Sequence, residues 1–156
     1  MEAMRLLLAS ALAFFYAFAA APPPTPVYGY KVVRVYPHDH SAFTQGLEYR
    51  GGFMYEGTGL NGRSSLRKVE LESGKVLQEI RLDSKYFGEG ITLLDQRIIE
   101  LTWDSHRGFV YDRNTFQLIR SFEYPGEGWG LTNDRRQIYM SDGTARIRRV
   151  VRSIRQ

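Results

Sequence analysis

Residues 87–103 read FGEGITLLDQRIIELTW. One carboxylate, Glu89, stands between two glycines, and an apolar run follows until Asp95-Gln96 interrupts it. A second apolar run then begins, so the segment has the layout of a hairpin with a polar entry. Two other stretches share that layout: FTQGLEYRGGFMYEGTG at 43–59 and GWGLTNDRRQIYMSDGT at 128–144. In each, a polar or aromatic residue precedes glycine (Gln45-Gly46, Glu89-Gly90, Trp129-Gly130), and Leu47, Ile91 and Leu131 take the next apolar place. A turn then follows at Arg50-Gly51-Gly52, Asp95-Gln96 or Asn133-Asp134-Arg135. The interval from Gly46 to Gly90 is 44 residues and from Gly90 to Gly130 it is 40.

A second type of hairpin alternates with the first. LRKVELESGKVLQEIRL (66–82) turns at Glu72-Ser73-Gly74-Lys75, and GFVYDRNTFQLIRSFEY (108–124) turns at Arg113-Asn114-Thr115. Two hairpins per period of about 40–45 residues are the pattern of a four-stranded propeller blade. Unrelated hairpins in a sandwich would not stay in phase. The expected fold is therefore all-β, a β-propeller. Propellers close with about 4–8 blades, whereas residues 28–148 supply three periods, the third incomplete. RVVRSIRQ stands where a further turn and strand are due, so the expectation is an incomplete set of about three blades, from a fragment or a shifted reading frame.

Composition agrees with strands and turns. Of 156 residues, 43% are hydrophobic and 13% aromatic, with 15 glycines, a mixture that favours β-structure. The formal charge of +4 is a property of the end of the chain. Arg146, Arg148, Arg149, Arg152 and Arg155 lie in the last eleven residues, and the remainder carries 16 basic against 17 acidic residues. No nucleic-acid motif accompanies this tail, so nucleic acid is not expected as a partner. At the other end, Arg5 precedes a mostly apolar run from Leu6 to about Ala21 that contains Ala17-Phe18-Ala19, with a Pro-rich stretch after it. This reads as a cleaved signal helix rather than a membrane span. The expected organisation is a signal peptide at 1–20, a linker at 21–27, the partial propeller at 28–147 and a basic tail at 148–156. The expected location is periplasmic or secreted, with no membrane association after cleavage. There is no Cys, so packing alone must hold the domain.

Innermost propeller strands converge on the axis, which brings Phe43, Gln45, Glu89, Trp103 and Trp129 into consideration as one site. A carboxyl among aromatics is desolvated and shifted upward, which suits proton transfer near neutrality. Equally, Gln45 and Glu89 could serve backbone amides at strand entries, and the pattern leaves both readings open. His38-Asp39-His40 offers two metal ligands without a fixed third. Arg63 reads as a loop residue or a holder of a substrate carboxylate, Tyr28 and Tyr30 as alternating strand residues, and Asp142-Gly143 as a hairpin turn. No Gly-x-Ser-x-Gly, phosphate loop or Cys nucleophile is present.

Phe-Thr-Gln-Gly-Leu (43–47), Gly-Arg-Ser-Ser (62–65), Phe-Gly-Glu-Gly (87–90) and Gly-Trp-Gly-Leu (128–131) occur in that order. Together they resemble the glutamine cyclotransferase family, the plant and bacterial type of glutaminyl cyclase, over roughly residues 28–147. The resemblance implies a five-bladed propeller that converts an N-terminal glutamine to pyroglutamate and releases ammonia. It implies Glu89 as the proton-transfer residue, with Phe43 and Gln45 lining the substrate site and Trp103 and Trp129 as its aromatic walls. It also implies no metal or other cofactor, and peptides or proteins with N-terminal glutamine as partners. The family's further pocket residues (an Asn, a Trp and a Lys) have no counterpart here. The alternatives are an inactive propeller fragment and a non-catalytic ligand-binding propeller, and the oligomeric state is left open.

Overall fold

Eleven strands form three antiparallel meanders in the computed structural model, which describes residues 24–150. The expected signal helix lies outside the described residues. The chain divides at Arg34/Val35 into two units. Residues 24–34 of the first are irregular and exposed, so Tyr28 and Tyr30 are not the strand residues expected. Alternation signals only the capacity for a strand; the strand itself needs a hydrogen-bonded ladder, and none of the three sheets includes this segment.

In the second unit, the first sheet holds β1 (Thr44–Arg50), β2 (Phe53–Thr58), β3 (Ser65–Glu70) and β4 (Val76–Arg81) in that order. The second repeats the plan with β5 (Gly88–Leu94), β6 (Arg97–Thr102), β7 (Arg107–Asp112) and β8 (Leu118–Glu123). The third comprises β9 (Leu131–Asn133), β10 (Ile138–Ser141) and β11 (Ile147–Val150). The turns fall where the sequence places them. Gly51 and Gly52 have φ of +60° and +90° between β1 and β2, a conformation that glycine adopts without steric cost. Asp142-Gly143 lies in the β10–β11 turn. The strand that follows continues past the expected boundary at 147: Arg148 pairs with Met140 and Arg149 with Tyr139. Arg148 also reaches Asp142 Oδ2 at 2.6 Å, so this part of the basic run is built into the third sheet.

Strands β5, β6 and β7 of sheet two are buried on both faces, and their sequence shows how. On β6 and β7, Ile98, Phe109 and Tyr111 join Tyr55, Leu66, Ile91, Leu93 and Phe116 in one core cluster. Their neighbours Ile99 and Val110 point the other way, joining Leu94 and Ile138 in a second. Successive side chains on a strand face opposite sides, so a strand covered on both sides must be apolar at nearly every position. β6 (RIIELT) is buried at every position after Arg97, with Ile98, Ile99 and Leu101 apolar and Glu100 and Thr102 buried beside them; VLQEIR of β4, only half covered, alternates intermediate and exposed positions. Each buried Ile or Leu contributes about 1.5–3 kcal/mol.

The inner strands approach so closely that only glycine fits. A Cβ at Gly46 would lie 2.5 Å from Ile91 N, and one at Gly90 would strike Trp129 O and lie 2.7 Å from Leu131 N. Gly90 N donates to Trp129 O at 2.8 Å, tying the second sheet to the third. The radial arrangement of a propeller follows from these contacts. Gly90→Ala is expected to destabilise the domain by about 1–3 kcal/mol, since backbone atoms must yield to the methyl. Gly29→Ala, which meets nothing within 4 Å, should leave the urea midpoint in place. Equal midpoints for the two variants would show that the seam tolerates the extra carbon.

Candidate active site

Two β-bulges aim the polar residues at this site. Along β1–β2, Thr44 faces Thr58 and Gly46 faces Gly57, which leaves Gln45 as the extra residue. Along β5–β6, Gly88 faces Thr102 and Ile91 faces Glu100, so Glu89 and Gly90 together oppose Leu101. A bulge turns a side chain out of the pleat's alternation. Gln45 Nε2 donates to Glu89 Oε1 at 2.8 Å, joining residues from different sheets.

Aromatic rings surround this pair. Phe43 lies just before β1, Trp103 just after β6 and Trp129 just before β9. With Gln45, Phe87, Glu89 and Gly130 they line an open cavity of about 520 Å³. All five residues singled out from the sequence therefore meet in one place. Phe87 links the rings edge to face, its centroid 6.1 Å from Phe43 and 5.8 Å from Trp103. The same backbone bond recurs at both strand entries: Gly59 N to Phe43 O at 2.8 Å and Trp103 N to Phe87 O at 3.0 Å. The Trp129 ring packs over Gly143, where a Cβ would lie 2.6 Å from it.

Burial pushes the half-buried Glu89 carboxyl up to about 7; the Gln45 bond opposes this and the Glu127 carboxylate adds to it. Near neutrality both protonation states are then populated, as an acid that must also act as a base requires. Glu127 accepts from Trp103 Nε1 and Trp129 Nε1, each at 2.8 Å and both on Oε2. Tyr124 braces the same loop from beneath. Its hydroxyl donates to Thr102 O, and it occupies the space a Cβ on Gly128 would need.

Phe87 and Glu127 are absent from the sequence-based site. The signal for both was present in the repeat: Phe43, Phe87 and Glu127 each stand two residues before Gln45, Glu89 and Trp129. The other candidates have different partners. His38 Nε2 donates to Glu56 Oε1 at 2.9 Å, and Asp39 pairs with Arg67 at 2.9 Å. His106 Nδ1 donates to Gly126 O at 2.7 Å. Arg63 borders a smaller pocket of about 120 Å³ beside Phe43 and donates to Ser41 O at 3.4 Å.

The family model for glutamine cyclotransferase matches residues 6–152. A glutaminyl-peptide cyclotransferase of Arabidopsis thaliana is 43% identical over 122 residues, covering 77% of this chain and 38% of that protein. The crystal structure of Myxococcus xanthus glutaminyl cyclase superposes with a TM-score of 0.69 at 34% identity, covering 76% of this chain and 50% of that one. The WD40 repeats of RRP9 superpose at 0.55 with 15% identity, a likeness of propeller fold alone. This chain thus spans half or less of the length of the cyclases it matches. Its three meanders and the polar pair within its aromatic cavity sit in the part that does match, and the chain belongs to the glutamine cyclotransferase family.

Proposed function

We propose that the chain is a glutaminyl-peptide cyclotransferase acting on peptides or proteins with an N-terminal glutamine. The observation that carries this reading is Glu89, a carboxyl near pKa 7 bonded to Gln45 within aromatic walls. The α-amine and the γ-carboxamide belong to one residue, so ring closure needs folding of the side chain rather than capture of a second reactant. Phe43, Phe87, Trp103 and Trp129 offer apolar surfaces against which the glutamine methylenes can pack in the folded form. The α-amine nitrogen bonds to the γ-carbon, and the bond from that carbon to the amide nitrogen breaks. Glu89, as the carboxylate, takes the proton the attacking nitrogen sheds. It then returns that proton to the departing nitrogen, which leaves as ammonia, and the carboxylate is restored. Gln45 orients the Glu89 carboxyl through its 2.8 Å bond.

The apolar run from Leu6 to Ala21 supports export to the periplasm or exterior as the setting for this reaction. Ammonia release from a glutaminyl dipeptide amide, followed with the purified chain, tests the proposal. Turnover that converts the peptide to its pyroglutamyl form is the expected result. Peptide binding without ammonia would instead identify a ligand-binding propeller.

A further inference from the structure

We propose that Glu127 is the positioning residue of this site: its carboxylate clamps the indoles of Trp103 and Trp129 into one wall and fixes a negative charge beside Glu89. The two tryptophans flank strands of different sheets, Trp103 after β6 and Trp129 before β9, and are 41% and 46% exposed, so packing alone does not hold their rings. Each indole has a single N–H donor, and both are spent on the same oxygen, Glu127 Oε2, at 2.8 Å. Bonds to an ionised acceptor are about twice as strong as neutral ones. One carboxylate thereby locks two rings in fixed orientation.

Glu127 is itself held on both sides. Gly126 O accepts from His106 Nδ1 at 2.7 Å, and Gly128 N donates to Trp103 O at 2.8 Å. The hydrogen bonds from Trp129 and Trp103 keep the Glu127 carboxyl below its ordinary value. It is therefore ionised through the range in which Glu89 titrates, and its charge opposes ionisation of Glu89. Two other groups act on it: the Asp142 carboxylate, paired with Arg148, disfavours its charge, and His106 favours it. Glu127 works through its neighbours: it sets the wall on which a substrate would lie, and it biases the proton of Glu89. The second effect on catalysis rests on the cyclase reading; the clamp does not.

The chain contains only two tryptophans, so intrinsic fluorescence and indole N–H resonances report on this clamp without background. Glu127→Ala is expected to shift emission to longer wavelength and raise acrylamide quenching. It should also raise KM for a glutaminyl dipeptide amide by about tenfold, more than it lowers kcat. Glu127→Gln keeps an acceptor oxygen and loses the charge. Its emission should stay near that of the parent chain, while both indole N–H resonances move upfield and the acidic limb of kcat/KM moves to lower pH. Restoration of the KM by Gln but not of the pH profile separates the two roles. Unchanged indole resonances in Glu127→Gln would overturn the clamp, as would unchanged emission and quenching in Glu127→Ala. Should Glu127→Ala fail to fold, the Glu127→Gln resonances still decide. An absence of turnover in the parent chain would refute the cyclase reading, and the spectroscopic results would then judge the clamp by themselves.

Discussion

Glu89→Gln is expected to lower ammonia release from a glutaminyl peptide by about 10³-fold, within the range of about 10²–10⁴ for loss of a general acid–base group. The substitution is nearly isosteric, and its carboxamide oxygen can still accept the bond that Gln45 Nε2 gives to Glu89 Oε1. The aromatic walls are untouched, so KM should change by less than kcat. The carboxamide cannot take up a proton near pH 7, and the step that moves hydrogen from the attacking to the leaving nitrogen loses its carrier. A urea midpoint equal to that of the parent chain would show that the loss is chemical. Retention of more than about a tenth of the parent kcat would remove Glu89 from the proton-transfer role.

Glu100 gives the second large effect, on stability rather than rate. It lies on β6 opposite Ile91, just below the bulge that carries Glu89, and it has no exposed surface. Gly57 and Gly88 leave it room: a Cβ on either would lie within 3.6 Å of its Oε1. Neither carboxyl oxygen has a hydrogen-bond partner among the described residues. Burial pushes the group up to about 8; the nearby Tyr111 hydroxyl opposes this but stands outside hydrogen-bonding geometry. The sign is opposite to that of a salt-bridged acid. Above about pH 4.5 the unfolded chain releases this proton while the folded chain keeps it, so stability falls as pH rises to about 8 and then levels.

The fall attributable to Glu100 is on the order of 5 kcal/mol. Glu89, also raised but only half-buried, adds a smaller fall of the same sign. Asp39 and Asp112, both lowered by hydrogen bonds to their own loops, act at the acid end, where stability is lost as they protonate. Maximum stability is accordingly expected near pH 5. Glu100→Gln should match the parent chain at pH 5 and exceed it by several kcal/mol at pH 9. Urea midpoints at the two pH values measure this directly. Parallel pH dependences in the two proteins would mean that Glu100 is ionised in the folded state.

The two glutamates show how much of the site was legible. Glu89 could be found because the repeat put it in phase with Gln45 and Trp129. Its environment could not, since the carboxyl owes its shift to burial and to Glu127, a residue 38 positions further along the chain. Glu127 itself occupies the position of Phe43 and Phe87 in the repeat, but an acid in place of an aromatic hides the correspondence. Glu100 was silent for another reason. Alternation places it on the same face as Ile98, yet a strand's sequence does not say whether that face is covered. The first sheet covers it, and the carboxyl is buried with it.

The sequence by itself determined the hairpins and turns of the three meanders, the two-hairpin period and the five residues Phe43, Gln45, Glu89, Trp103 and Trp129 that meet in the cavity, though not Phe87 or Glu127. These depend on neighbours a few positions away: alternation along a strand, positive φ at Gly51 and Gly52, and a glycine after each inward residue. Only the tertiary structure decided what those residues became. The bulges at Gln45 and Glu89 arise from pairing within each sheet, whereas the bond between them, the shared oxygen beneath two indoles and the burial of Glu100 arise where different sheets and their flanking loops meet. Desolvation and pairing are fixed by whatever packs against a group, and here the packing partner is some forty residues away in another sheet.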